Sequence, residues 1–243
     1  MKYMGSKSRI ANEILPIILK NRKPNQYYVE PFCGGCNIID KVDGNRIASD
    51  KNHYLVEMWK GLQRGEKYPL IIPKSLYSSA RDAFNNRINK AFSDFEIGWI
   101  GWMGSYNGRF FDGGYSGHNV KINGGYRDYI SESIRNIVSQ VENISGIEFR
   151  SCNYDELQIP DNSIIYCDIP YKGTKQYGTS KDFNYSKFWQ WCRYMSGKGH
   201  EVFVSEYNAP DDFECVWSKE VTNSINTKKT YKPIEKLFKY NHI

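Results

Sequence analysis

No apolar run in these 243 residues approaches the roughly 20 needed to cross a bilayer, so a membrane-spanning helix is not expected. The positive amino terminus is followed by neither a long apolar core nor a small-residue cleavage site, which argues against a secretory signal. The three-glycine spacing of a dinucleotide fold is missing, and so is the Lys-Ser/Thr pair of a P-loop. The glycine pair Gly34-Gly35 therefore does not read as a phosphate cradle. Cys33-x-x-Cys36 has no second Cys-x-x-Cys or His-x-His pair to complete a zinc site. The six cysteines, 33, 36, 152, 167, 192 and 215, are scattered through strand-like and helical stretches, so neither metal nor disulfide is expected and the compartment reads as a reducing cytoplasm. His53, His200 and His242 form no constellation, and internal repeats and low-complexity linkers are lacking.

What is present suits one sizeable α/β core with a modest insertion, since 40% of residues are hydrophobic and single domains commonly run to about 100 to 200 residues. A formal charge of +6 and a pI near 8.8 fit a polyanionic partner, and equally fit simple solubility. Strand-like runs at Tyr27 to Glu30, Ile47 to Asp50, Ile147 to Arg150, Ser163 to Asp168 and Glu201 to Ser205 alternate with helical stretches, which predicts a mostly parallel sheet with ligands at its carboxyl edge. From about Met58 to Asn143 strand-like runs nearly vanish in favour of helices around a central loop, Trp99 to Arg127, rich in glycine and aromatics. The basic side chains Arg109, His118, Lys121 and Arg127 in that loop could meet phosphates or guanine edges, and an exposed ring among its aromatics, Tyr106 included, could wedge into a base stack. For Trp99 and Trp102 a small aromatic core is the better reading. The basic tail Lys228, Lys229, Lys232, Lys236 and Lys239 could touch a polyanionic backbone, although such runs are more often a solvated face.

Three segments carry chemistry. In Tyr166-Cys167-Asp168-Ile169-Pro170-Tyr171 an apolar run delivers a carboxylate, a proline and a ring in succession. Taken alone it is an ordinary strand followed by an Asp-x-Pro turn. The same residues could serve a flat, amine-bearing ring: Asp168 and the Ile169 carbonyl accept from an exocyclic amino group while Tyr171 stacks on the ring face. Tyr27 to Asn37 is a β-prone run breaking into the Gly34-Gly35 turn after Glu30-Pro31-Phe32, and Asp50 ends the next strand-like run, placed to hold a ribose hydroxyl pair. The third segment is Lys2 to Lys7, in isolation a frayed leader.

Together these segments resemble the Dam-like adenine-specific DNA methyltransferases, in which an aromatic-x-Gly-x-Lys opening, a Glu-Pro-Phe-x-Gly turn, a strand-end Asp, an inserted recognition domain and an Asp-Pro-Pro-Tyr motif occur in this order. The resemblance implies a Rossmann-like, S-adenosylmethionine-dependent methyltransferase sheet, discontinuous over 1–57 and 144–243, with an inserted, mainly helical target-recognition domain over 58–143. It implies that Tyr3, Lys7, Glu30, Pro31, Phe32, Gly34, Asp50, Asn153, Tyr154 and Asp168 hold S-adenosyl-L-methionine. Asn153 stands where the family has an acid beside the cofactor adenine. Asp168, Ile169, Pro170 and Tyr171 match the catalytic motif, with Ile169 in place of its first proline. That position contributes a main-chain carbonyl, and Pro170 still biases residue 169 toward extended backbone. Tyr106, Asn107 and Arg109 fall where the family inserts its DNA-probing loop, which with Lys121 and Arg127 makes double-stranded DNA the expected partner. A GATC-type site is a family-level expectation.

The expected reaction is direct transfer of a methyl group to the N6 amino group of a flipped adenine, by a monomer or weak dimer, with no metal. Two other classes remain: a methyltransferase acting on RNA adenine or on the cytosine amino group, and a catalytically silent relative that only binds DNA.

Overall fold

A computed structural model describes residues 1–86, 91–173, 182–221 and 233–241. The chain forms α1 (Ala11–Ile18), β1 (Tyr28–Glu30), β2 (Arg46–Ser49), α2 (His53–Gln63), α3 (Lys74–Asn86), α4 (Asp94–Gly104), β3 (Val120–Ile122), β4 (Gly125–Arg127), α5 (Tyr129–Val138), β5 (Ile147–Arg150), β6 (Ile164–Asp168), α6 (Tyr185–Gly197), β7 (Glu201–Glu206), β8 (Phe213–Glu220) and β9 (Ile234–Tyr240). Seven strands make one sheet in the order β5-β2-β1-β6-β7-β9-β8. From β5 to β7 the pairing is parallel, and β9 runs antiparallel to both β7 and β8. The α/β, Rossmann-like expectation is borne out in this sheet.

Period-two alternation splits the strands between two cores. Tyr28, Ile164, Tyr166 and Phe203 face a cluster shared with α1, α2, α4 and α5. Val29, Ile165, Cys167, Val202 and Val204 face a second cluster filled by Phe188, Trp189, Cys192 and Met195 of α6. Because both faces are covered, these strands read as near-continuous apolar runs, and that made them legible. Helix starts are equally local: Asn52, Asp128 and Asn184 cap α2, α5 and α6 through their side chains, and Ser93 with Glu96 forms a capping box on α4.

Four features differ from the sequence reading, the first being the edge strand β8, which no strand-like run anticipated. Trp99 and Trp102 lie on α4 rather than in a loop, and both are buried. That helix is apolar all round, so its period is hidden. A hairpin, β3 with β4, closes over the two-residue turn Asn123-Gly124 inside a stretch expected to lack strands, with Gly124 at φ +89°. The Asn-Gly pair was its available signal. Lys236 and Lys239 sit on β9 instead of in a solvated tail; Lys239 pairs with Glu201 at 2.7 Å. Lys228, Lys229, Lys232 and His242 lie outside the described residues.

Candidate active site

The strand order reverses at β1 and β6: the chain moves outward from β1 to β2 on one side and from β6 to β7 on the other. Ligands of open α/β sheets bind in the crevice at the carboxyl ends of such neighbouring strands. Glu30 is the last residue of β1 and Asp168 the last of β6, so the two sequence motifs that read as chemistry flank this crevice.

Around Asp168 the structure gathers charge and rings. Lys7, 7% exposed, sets its ammonium 3.0 Å from Asp168 Oδ1 and 4.3 Å from the centre of the Tyr171 ring, and also donates to the Gly5 carbonyl at 2.9 Å. The Tyr171 hydroxyl donates to Glu235 Oε2 at 2.5 Å, and Tyr207 meets the Tyr171 ring edge-on at 4.6 Å. Burial, reinforced by Glu235 and only partly offset by Lys7, holds the Asp168 carboxyl above the usual carboxylate range. Burial opposes the Lys7 charge, but Asp168 and Glu235 outweigh it and raise the ammonium's pKa. The Ile169 side chain is buried in the α6 cluster, and the Pro170 carbonyl accepts from the Tyr185 hydroxyl at 2.9 Å.

The glycine turn is covered by Tyr3. A Cβ at Gly34 would lie 2.6 Å from Tyr3 Cε1 and one at Gly35 2.6 Å from Tyr3 Cβ, so these glycines admit a ring of the same chain. Gly34 N–H donates to Asp50 Oδ2 at 3.2 Å, Asn52 N–H to Asp50 Oδ1 at 2.9 Å, and Trp59 Nε1–H to the Gly34 carbonyl at 3.0 Å. Burial raises the Asp50 pKa against the pull of those two backbone donors. Glu30, 3% exposed, accepts from the Tyr28 hydroxyl at 2.9 Å, and burial pushes its carboxyl well above its ordinary pKa. Pro31 is buried beside it. Phe32 and Tyr154 form an aromatic wall with ring centres 5.3 Å apart, extended by Phe183 and Trp191. Asn153 is exposed, its N–H donating to Glu156.

The loop residues connect to this site through the amino terminus. Gly108 lies so close to Lys2 that a Cβ there would be 2.4 Å from the Lys2 carbonyl oxygen, which brings the turn of Tyr106, Asn107 and Arg109 against Tyr3. Tyr106 and Asn107 are exposed, and Arg109 is half-buried. On the hairpin Lys121 and Tyr126 are cross-strand partners, both exposed. Arg127 is engaged twice by Glu132, at 2.7 and 2.9 Å, and Glu132 also takes Lys2 at 2.7 Å. Hydrogen bonds from Arg127 and Lys2 pull the Glu132 pKa down to about 2.

Residues 3–96 match the model of the D12 class N6 adenine-specific DNA methyltransferases. The match bears out the resemblance read from the sequence, and its span contains Tyr3, Lys7, the Glu30 to Gly34 turn and Asp50. Among known proteins, the Type II methyltransferase M.FokI of Planomicrobium okeanokoites is 27% identical over 196 residues. That alignment takes in 70% of this chain and 28% of the relative, so the chain spans under a third of the curated relative it matches. The solved structure of SMU.472 complexed with SAH covers 98% of this chain and 54% of its own, at a TM-score of 0.39 and 10% identity. Asp168 and Tyr171 fall beyond the D12 match, so their assignment rests on the residues themselves. Sequence reasoning missed Glu235, Tyr207 and Trp59, which reach the site from distant points of the chain. Among the described residues no helix is long and apolar enough to cross a membrane, and no group of three or more His, Cys, Asp or Glu side chains could hold a metal ion.

Proposed function

We propose that the chain transfers a methyl group from S-adenosyl-L-methionine to the N6 amino group of adenine in double-stranded DNA, acting on a base flipped out of the helix. The observation that carries this reading is the place of the Lys7 ammonium. A nitrogen donor held on Asp168 and over the Tyr171 ring occupies the position that an adenine amino group would need, so the crevice is already shaped and charged for an amine.

The residues fit the methyl donor. Asp50 has lone pairs left for a ribose hydroxyl pair after accepting from Gly34 and Asn52, and Phe32 with Tyr154 offers an apolar wall for its adenine. Glu30, Pro31, Tyr3 and Asn153 border the same turn and wall. Bound there, S-adenosyl-L-methionine supplies an electrophilic methyl group on a sulfonium. Asp168 and the Ile169 carbonyl accept the two N–H bonds of the target amine and draw its lone pair out of ring conjugation. As that nitrogen becomes positive, the Asp168 carboxylate stabilises the charge, and its raised pKa suits it to take the departing proton. Tyr171 holds the base face, and Lys7 must leave Asp168 for the base to enter. Holding the two reactants at near-attack distance can contribute about 7 to 11 kcal/mol when the geometry is ideal.

Residues 58–143 are the proposed target-recognition domain, with 1–57 and 144–243 binding the cofactor. Tyr106, Asn107, Arg109, Lys121 and Arg127 are its proposed DNA contacts, and the exposure of Tyr106 and Lys121 supports that role. Single-molecule sequencing of genomic DNA from a host expressing the chain tests the reading. N6-methyladenine at one short motif, absent with Asp168→Ala, is expected. Unmodified DNA refutes the reading, and methylated cytosine or RNA replaces its substrate.

A further inference from the structure

The cluster at the end of β6 contains a carboxylate to which methyl transfer assigns no task. Glu235, near the start of β9, is largely buried, and its Oε2 accepts from the Tyr171 hydroxyl at 2.5 Å and lies 4.0 Å from Lys7 Nζ. A phenol-to-carboxylate bond of that length belongs to the charge-assisted class. With Tyr207 packed edge-on at 4.6 Å, the plane of the Tyr171 ring is fixed from two sides.

Two carboxylates thus share one cation, Asp168 at 3.0 Å and Glu235 at 4.0 Å. A target amino group and the Lys7 ammonium cannot both hold Asp168 Oδ1 over the same ring face. Once displaced, a buried ammonium needs a new partner, since an unpaired buried charge is strongly unfavourable. Glu206, another buried carboxylate here, already accepts from the backbone N–H groups of Lys172, at 2.9 Å, and Tyr207, at 2.6 Å, and makes no ion pair with Lys7, whereas Glu235 stands 4.0 Å from the ammonium. Glu235 is within reach: shortening its 4.0 Å separation to an ordinary ion pair takes about 1 Å of ammonium movement.

We propose that Glu235 is a positioning residue for the transfer, pinning the Tyr171 ring through its phenol and receiving the Lys7 ammonium when the target amino group takes over Asp168. The inference rests on the methyl-transfer reading above. It makes Glu235 act through Lys7, which a purely structural carboxylate would not do.

The test uses the full chain, wild type and Glu235→Gln, each also in a Lys7→Gln background. The amide of Glu235→Gln still accepts from the Tyr171 phenol but carries no charge. Base extrusion is read from the fluorescence of 2-aminopurine placed next to the target adenine of a duplex, so that the target keeps its 6-amino group, without cofactor, beside single-turnover transfer, duplex affinity and melting temperature. Glu235→Gln should reduce both extrusion and the single-turnover rate by about tenfold or more, as expected for a buried cation stripped of its partner, while duplex affinity stays within about twofold. In the Lys7→Gln background the same change should cost about twofold at most, because no ammonium remains to receive. An equal cost in both backgrounds, or unchanged extrusion in Glu235→Gln, overturns the proposal. Should Glu235→Gln melt early, Glu235→Asp decides: partial recovery of extrusion supports the proposal, and none overturns it. A wild type that methylates no duplex overturns the methyl-transfer reading and this inference with it, whereas an active wild type with unaltered variants overturns this inference alone.

Discussion

Gly34→Ala separates two costs that meet at the glycine turn. Gly34 has φ +45°, in the left-handed region, where an L side chain costs about 1 to 2 kcal/mol. Its new Cβ would also stand 2.6 Å from Tyr3 Cε1 and 2.9 Å from Tyr3 Cζ, a clash of the overpacking kind worth about 1 to 3 kcal/mol. The sum, about 2 to 5 kcal/mol, is a large part of the roughly 5 to 15 kcal/mol that stabilises a typical domain. At about 2 to 4 °C per kcal/mol for a chain of this size, the melting temperature should fall by about 10 °C. Tyr3→Ala removes the ring, so in that background Gly34→Ala should keep only its backbone cost, a coupling of about 1 to 3 kcal/mol. Gly146→Ala supplies the control: its φ is +74° and nothing lies within 4 Å of the added Cβ, so strain acts alone there. Thermal unfolding of the four cycle members, with calorimetry of S-adenosyl-L-methionine binding, reads both consequences. Equal melting of wild type and Gly34→Ala, or a strictly additive cycle, would refute the claim that Tyr3 seals the turn.

Asp50→Ala should weaken cofactor binding by about 1 to 3 kcal/mol in calorimetry, since it removes the acceptor and strands the Gly34 and Asn52 N–H groups. Asp168→Ala should abolish labelled-methyl transfer while sparing most duplex affinity, which is largely electrostatic. Ile169→Pro should change turnover little; activity appearing only in that variant would favour the silent-relative reading. If Arg109 reads a base edge, Arg109→Ala should lose about 1 to 3 kcal/mol of discrimination between sites, and equal losses on cognate and random duplexes would make it a backbone contact. Asp168 must be ionised to accept from the amine, and burial raises its pKa against the opposing pull of Lys7. Turnover should therefore rise with pH through an acid limb above the usual carboxylate range, and Lys7→Gln should move that limb to higher pH; a limb unmoved in the variant would separate Lys7 from the titration.

The sequence by itself was enough for the parallel strands and their carboxyl-end motifs. Strands buried on both faces are written as unbroken apolar runs, so Tyr28 to Glu30 and Ile164 to Asp168 could be read from a few residues each. The order of Tyr3, Lys7, the Glu30 turn, Asp50 and Asp168 likewise needed only the chain. Tertiary structure decided what these residues touch. Glu235 reaches Tyr171 across 64 residues and lies on β9, where Lys236 and Lys239 interrupt the apolar residues and disguise the strand as a basic tail. The antiparallel β9 lies between β7 and β8 and so brings it toward the end of β6, a strand order that no local run encodes. The ring over Gly34 came from an amino terminus whose own spacing read as a frayed leader. Local chemistry marks where each strand ends, but the pairing of charges at those ends depends on contacts that exist only after the sheet has closed.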